Sequence, residues 1–270
     1  MKPPVFDTTW SEEVKRVYQH DQQELWDATI SPHIFNMYQN QLALYQSLVP
    51  ESKSRILDVG CAQATLAILL AEQGHSVIAM DLRQDFLDYA ASRYTHGDIE
   101  FKCGNALDLA NSSNEGDSPD TRYDIIFANQ IIEHLVHPEQ LVFGLKKLLR
   151  PAGKLIITTP NHSYFKNTLP TFTELGDVKQ WEDKQFTADG DGHFFAYTND
   201  ELLAIFEQCN LTEISTRFYE SPWISGHMKF RYLHKFMPYA ALSALNELSL
   251  KMPWANKISH QLMIIGHKPR

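Results

Sequence analysis

An α/β fold, with a parallel sheet flanked by helices on both faces, is what this sequence predicts. Two observations predict it. Short apolar runs alternate with helical stretches from Arg55 onward. The first of these form a βαβ unit: Ile56-Leu57-Asp58-Val59 enters a tight turn at Gly60, a helix follows from Thr65 to Glu72, and Ser76 to Met80 returns as a strand ending in Asp81. The alternation then continues. Ile99 to Cys103 reads as a third strand and Tyr123 to Ala128 as a fourth. Leu148 to Lys154 reads as a helix stop and a turn, before a fifth strand from Leu155 to Thr159. Thr198 to Asn210 is an amphipathic helix with Thr198 or Asn199 as its N-cap. His260 to Lys268 is the final strand. Ahead of all these, Val14, Val17, Leu25 and Trp26 suggest one helix, and Ile34 to Tyr45 a second.

Composition sets limits on function. The chain has 270 residues, 43% of them hydrophobic, enough for one large α/β domain with insertions. Its formal net charge of −9 argues against a nucleic-acid binder, which needs a basic footprint. Cys61, Cys103 and Cys209 lack metal-ligand spacing and read as thiols of a reducing compartment. The first residues lack a signal-peptide core, and no apolar run is long enough to span a bilayer, so the expected location is the cytoplasm.

The candidate site follows from the βαβ unit. Ligands of nucleotide type sit at the carboxyl ends of such strands. Gly60 lets backbone approach a ligand because it has no Cβ. Asp81, at the tip of the second strand, can accept hydrogen bonds from a ribose diol. The run Gly60-Cys61-Ala62-Gln63-Ala64-Thr65 is not the Gly-x-Gly-x-x-Gly of dinucleotide enzymes.

This stretch resembles motif I and the acidic loop of class I methyltransferases that use S-adenosylmethionine. The family usually has Asp-x-Gly-x-Gly-x-Gly. Here Asp58 and Gly60 match, and Ala62 and Ala64 replace the later glycines. Alanine does not freely take positive φ, so both are expected at negative φ, with the Gln63 amide helping to hold the cofactor's carboxylate. Asn105 stands where the family has an Asp that contacts the adenine amino group. The resemblance implies a Rossmann-like seven-stranded methyltransferase sheet. It also implies an N-terminal helical cap over residues 1–50, and a methyltransferase domain over 51–270 with insertions near 160–197 and 220–258. The implied cofactor is S-adenosyl-L-methionine, held by Asp58, Gly60, Ala62, Gln63, Asp81, Leu82, Asn105, Ala106 and Asn129.

The Glu133-His134 pair, and His193 before a Thr-x-x-Glu-Leu helix start, make the ubiquinone-biosynthesis O-methyltransferase-like group the branch it is most similar to. Some members bind a divalent metal through Glu-x-x-Glu-His. Here Gln130 replaces the first Glu, so no metal is expected. A hydroxyl acceptor needs a base. His134 is the first candidate and His193 the alternate. Tyr38, His162, Tyr197 and Trp223 are candidates for contact with the acceptor. The favoured reading is O-methylation of a small molecule. A nitrogen acceptor, or a quinone or lipid at a membrane surface, are the alternatives. Nothing in the sequence fixes the oligomeric state.

Overall fold

The computed structural model describes residues 1–112, 122–184 and 195–270. Among them, seven strands form one mixed sheet surrounded by helices, in the order β3-β2-β1-β4-β5-β7-β6. The strands are β1 (Arg55–Val59), β2 (Ser76–Asp81), β3 (Asp98–Cys103), β4 (Tyr123–Asn129), β5 (Leu149–Pro160), β6 (Thr212–Tyr219) and β7 (Gln261–His267). β1 pairs with β4, β2 with β3 and β4 with β5, all in parallel. β7 runs antiparallel to both β5 and β6. No helix among the described residues is long and apolar enough to cross a membrane.

Contacts divide the chain into two compact units. The first comprises Met1–Ser54, Cys61–Gly104 and Glu220–Ala255. It holds α1 (Glu12–Asp21), a π-helical turn (Gln22–Trp26) and α2 (Pro32–Ser47). α3 (Thr65–Glu72), β2, α4 (Gln84–Arg93) and β3 follow, and then α8 (Pro222–Ser225), a 3-10 segment (His227–Lys235) and α9 (Tyr239–Leu250). Ser11 caps α1 by accepting from the Val14 amide, and Glu12 and Glu13 in the first turn suit the positive end of the helix. α3 presents Leu66, Ala67, Ile68 and Leu70 to the core.

The second unit comprises Arg55–Gly60, Asn105–Tyr219 and Asn256–Arg270. It holds β1, α5 (Ala106–Ser112), β4, α6 (Pro138–Leu148), β5, α7 (Asn199–Gln208), β6 and β7. Ile56, Leu57, Ile126, Phe127, Leu155 and Ile156 are fully buried, as parallel strands covered on both faces require. Thr198 caps α7 in a reciprocal box with Glu201. The short α10 (Ala255–Ile258) begins at the last residue of the first unit.

One boundary differs from expectation. β5 starts at Leu149 and not at Leu155. The expected turn survives inside it as a bulge: Leu149 pairs with Tyr123, Lys154 with Ile125, and Ala152 between them is left-handed at φ 61.

Candidate active site

The turn that leaves β1 alternates in handedness. Gly60, Ala62 and Ala64 have φ of 63, 46 and 53. The expectation of negative φ at Ala62 and Ala64 is therefore overturned. The cause is a set of hydrogen bonds that over-determine the turn. The Cys61 amide donates to the Met80 carbonyl at 3.1 Å, and the Ala64 amide to the Cys61 carbonyl at 2.7 Å. The Ala62 amide donates to Asp81 Oδ2 at 2.8 Å. At Gly60 an added Cβ would meet Ile131 Cδ1 at 2.6 Å, so a larger residue there would have to displace the end of that side chain.

Asp81 is thus a brace for the turn before it is anything else. Its Oδ1 also accepts from the Arg83 amide at 3.0 Å. Burial raises its pKa, while the amides of Ala62 and Arg83 act in the opposite sense. A carboxylate has further lone pairs for a diol. Leu82, next along, is exposed.

A buried cluster that the sequence reading missed lies in the same unit. Arg93, fully buried on α4, donates to Asp21 at the end of α1, to the Gln63 carbonyl and to Thr65 Oγ1. Tyr89 donates to the same Asp21 oxygen at 2.7 Å. Tyr38 shares a hydrogen bond with Thr65, and burial pushes its phenol well up. Glu24, in the π-helical turn, is pushed up to about 7 by burial and then by Asp21. So Gln63 is held through its carbonyl by Arg93. Asp21 and Arg93 lie 72 residues apart, and no local pattern signals their pairing.

In the second unit, Asn105 Oδ1 accepts from the Leu107 amide at 2.9 Å and caps α5. Ala106 is buried beside it, and Asp58 is buried on β1. Asn129 accepts from Thr158 Oγ1 at 3.0 Å. Gln130, left-handed at φ 54, exchanges amide hydrogen bonds with Gln261 at 2.8 and 3.4 Å. Its side chain is thereby committed to β7.

A 3-10 turn (Ile132–His134) follows β4. Glu133 is fully buried, accepts from Thr159 Oγ1 at 3.1 Å, and burial raises its pKa to about 8. It is therefore a neutral acid at pH 7 and an anchor for the turn. His134 is half-buried at the end of that turn. Tyr197 is fully buried, packs against Phe195 and Phe172, and its hydroxyl donates to the Ile132 carbonyl at 3.3 Å. The expectation that Tyr197 touches an acceptor gives way to a core position, because all of its ring surface is used in packing. His162 is half-buried, and its amide donates to the Tyr197 carbonyl at 2.9 Å. Trp223, in the first unit, is half-buried against Phe230, with ring centroids 4.5 Å apart. His193 lies outside the described residues.

Gly60, Ala62 and Ala64, at the three positions where the class I motif carries glycine, are all left-handed, the conformation that glycine takes most readily. A sequence model of the Methyltransferase domain family matches residues 18–216. The chain belongs to the class I methyltransferases that use S-adenosylmethionine. It is 31% identical over 112 residues to a ubiquinone biosynthesis O-methyltransferase of Rickettsia akari, a match covering 42% of each chain. It thus spans under half the length of the curated relatives it matches. In fold it is similar to a SAM-dependent methyltransferase of Archaeoglobus fulgidus, with TM-score 0.55 and 15% identity over 93% of this chain and 99% of the other. It is also similar to a phosphoethanolamine N-methyltransferase of Haemonchus contortus, with TM-score 0.54 and 17% identity over 93% and 59%. The methyltransferase turn fits its cofactor: its backbone takes the glycine-like path, and the braced carboxylate of Asp81 has a diol's complementary chemistry.

Proposed function

We propose that this methyltransferase acts on a hydroxyl oxygen of a small-molecule acceptor, with His134 as the general base. The observation that carries this reading is the setting of His134. Its turn is pinned by the buried, neutral Glu133 and by Tyr197 at the Ile132 carbonyl, and His134 itself is half-buried at the end of that turn. A turn fixed in this way holds a base in place for proton transfer. The resemblance to O-methyltransferases supports the choice of oxygen.

Bound S-adenosylmethionine supplies an electrophilic methyl group, and the chain's own task is placement. Asp81 would accept from the ribose hydroxyls. The Gly60, Ala62 and Gln63 backbone would line the methionine end, next to Asp58. Leu82, Asn105, Ala106 and Asn129 would border the adenine and its surroundings. Tyr38, His162 and Trp223 would face the acceptor. An imidazole nitrogen of His134 would take the hydroxyl proton, with His193 as the alternate base. Tyr197 acts as a positioning residue, through Ile132.

The test is product analysis by mass spectrometry with isotopically labelled S-adenosylmethionine and two probe sets, phenols or catechols and primary amines. Methyl ethers formed by the parent and lost in His134→Ala are expected. Methylated amines with no ether would overturn the reading.

A further inference from the structure

The chain is acidic overall, with net charge −9, but residues 228–254 are not. Lys229, Arg231, Lys235 and Lys251 there face a single acid, Glu247, and all five are exposed. The same short stretch holds seven of the thirteen large apolar side chains that stand exposed among the described residues. Phe236 is 84% exposed, Leu248 55%, Trp254 53% and Tyr232 51%.

α9 organises this surface. Its inner face buries Leu242 and Asn246, and Asn246 Oδ1 accepts from the Ser221 amide at 2.8 Å. Its outer stripe, Ala240, Ala244, Glu247, Leu248 and then Lys251, follows helical spacing and is exposed. A lysine and an aromatic stand at each end, Lys235 with Phe236 before the helix and Lys251 with Trp254 after it. Aromatic side chains flanked by basic ones are suited to a membrane interface, where the ring enters the headgroup layer and the charge meets anionic lipid.

We infer that this face docks the protein on a bilayer surface containing anionic lipid. The charge excess selects this occupant. A second copy of the chain would bring the same four basic residues against themselves. A bilayer of anionic headgroups complements them and accepts the aromatics. The inference goes beyond the proposed chemistry and stands whichever acceptor is methylated.

The test is co-sedimentation of the full chain with vesicles of phosphatidylcholine alone and of phosphatidylcholine with one part in three phosphatidylglycerol. Binding to the anionic vesicles only, weakened by salt, is expected. Lys235→Gln with Lys251→Gln should lower the partition coefficient about 30-fold, at the surface attraction usual for each lysine. Phe236→Ser with Trp254→Ser should also release the protein. S-adenosylhomocysteine binding, measured by calorimetry, should not change in either pair, which shows that the variants are folded. Equal partition onto both vesicle types, or variants that bind as the parent does, would overturn the inference. So would light scattering that shows a dimer dissolved by the same substitutions.

Discussion

Replacing Glu133 with glutamine should remove most of a pH-dependent loss of stability. Glu133 is fully buried, and its pKa rises from an ordinary 4.5 to about 8. Below pH 4.5 both folded and unfolded chains hold the proton, and the group imposes no penalty. As pH rises, the unfolded chain releases its proton first, while the folded one must keep it or bury a charge. Stability therefore falls through this window and levels off above pH 8. At about 1.4 kcal/mol per pH unit, the full loss is about 5 kcal/mol, a large part of a typical folding free energy. Glutamine keeps an acceptor for the Thr159 hydroxyl and cannot ionise. Its extra donors cost about 1–3 kcal/mol where they find no partner. The variant should thus be somewhat weaker than the parent at pH 5 and stronger at pH 9. Urea unfolding midpoints across pH 5–9 measure both curves. Parallel curves would refute a buried, protonated Glu133.

Other expectations concern the cofactor turn and the base. Asp81→Ala should weaken S-adenosylhomocysteine binding by about 1.5–3 kcal/mol in calorimetry, the usual worth of a charge-assisted hydrogen bond. Because burial raises the Asp81 pKa, binding by the parent should begin to fail at a higher pH than an ordinary carboxylate would allow. Ala62→Gly should leave stability within about 1 kcal/mol of the parent, since relief of the left-handed strain offsets the entropy of glycine. A larger fall in the urea midpoint would contradict the left-handed turn. Arg93→Met should cost about 3–5 kcal/mol by leaving Asp21 buried without its partner. Adding Asp21→Asn should restore much of that, and strict additivity would deny the pairing. His134→Ala should lower turnover about 10²–10⁴-fold with cofactor affinity unchanged, as steady-state kinetics beside calorimetry would report.

Six of the seven strands and the turn after β1 were legible because their signals are local, while β6 was not read from its residues. Ile56-Leu57-Asp58-Val59, Gly60 and Asp81 stand in one continuous stretch, and the capping box of Thr198 and Glu201 spans four residues. The handedness of Ala62 and Ala64 was not legible. Alanine's own preference points away from positive φ, and bonds to Met80 and Asp81 on the next strand overrule it. Tyr197 looked like a ligand contact because aromatics on an insertion often are. Its burial depends on Phe172 and Phe195, whose packing no pattern in the sequence gives. The Asp21–Arg93 pair joins two helices from distant parts of the sequence, and nothing in either stretch signals the other.

That pair ties the beginning of the chain to the turn after β1. A shortened protein starting after Asp21 would leave the Arg93 guanidinium without its ion-pair partner, still attached to the Gln63 carbonyl and the Thr65 hydroxyl. The damage would then reach the turn after β1 before it reached the strands. Hydrogen exchange in such a fragment should quicken at Ala62 to Ala64 while the amides of β4 and β5 stay protected.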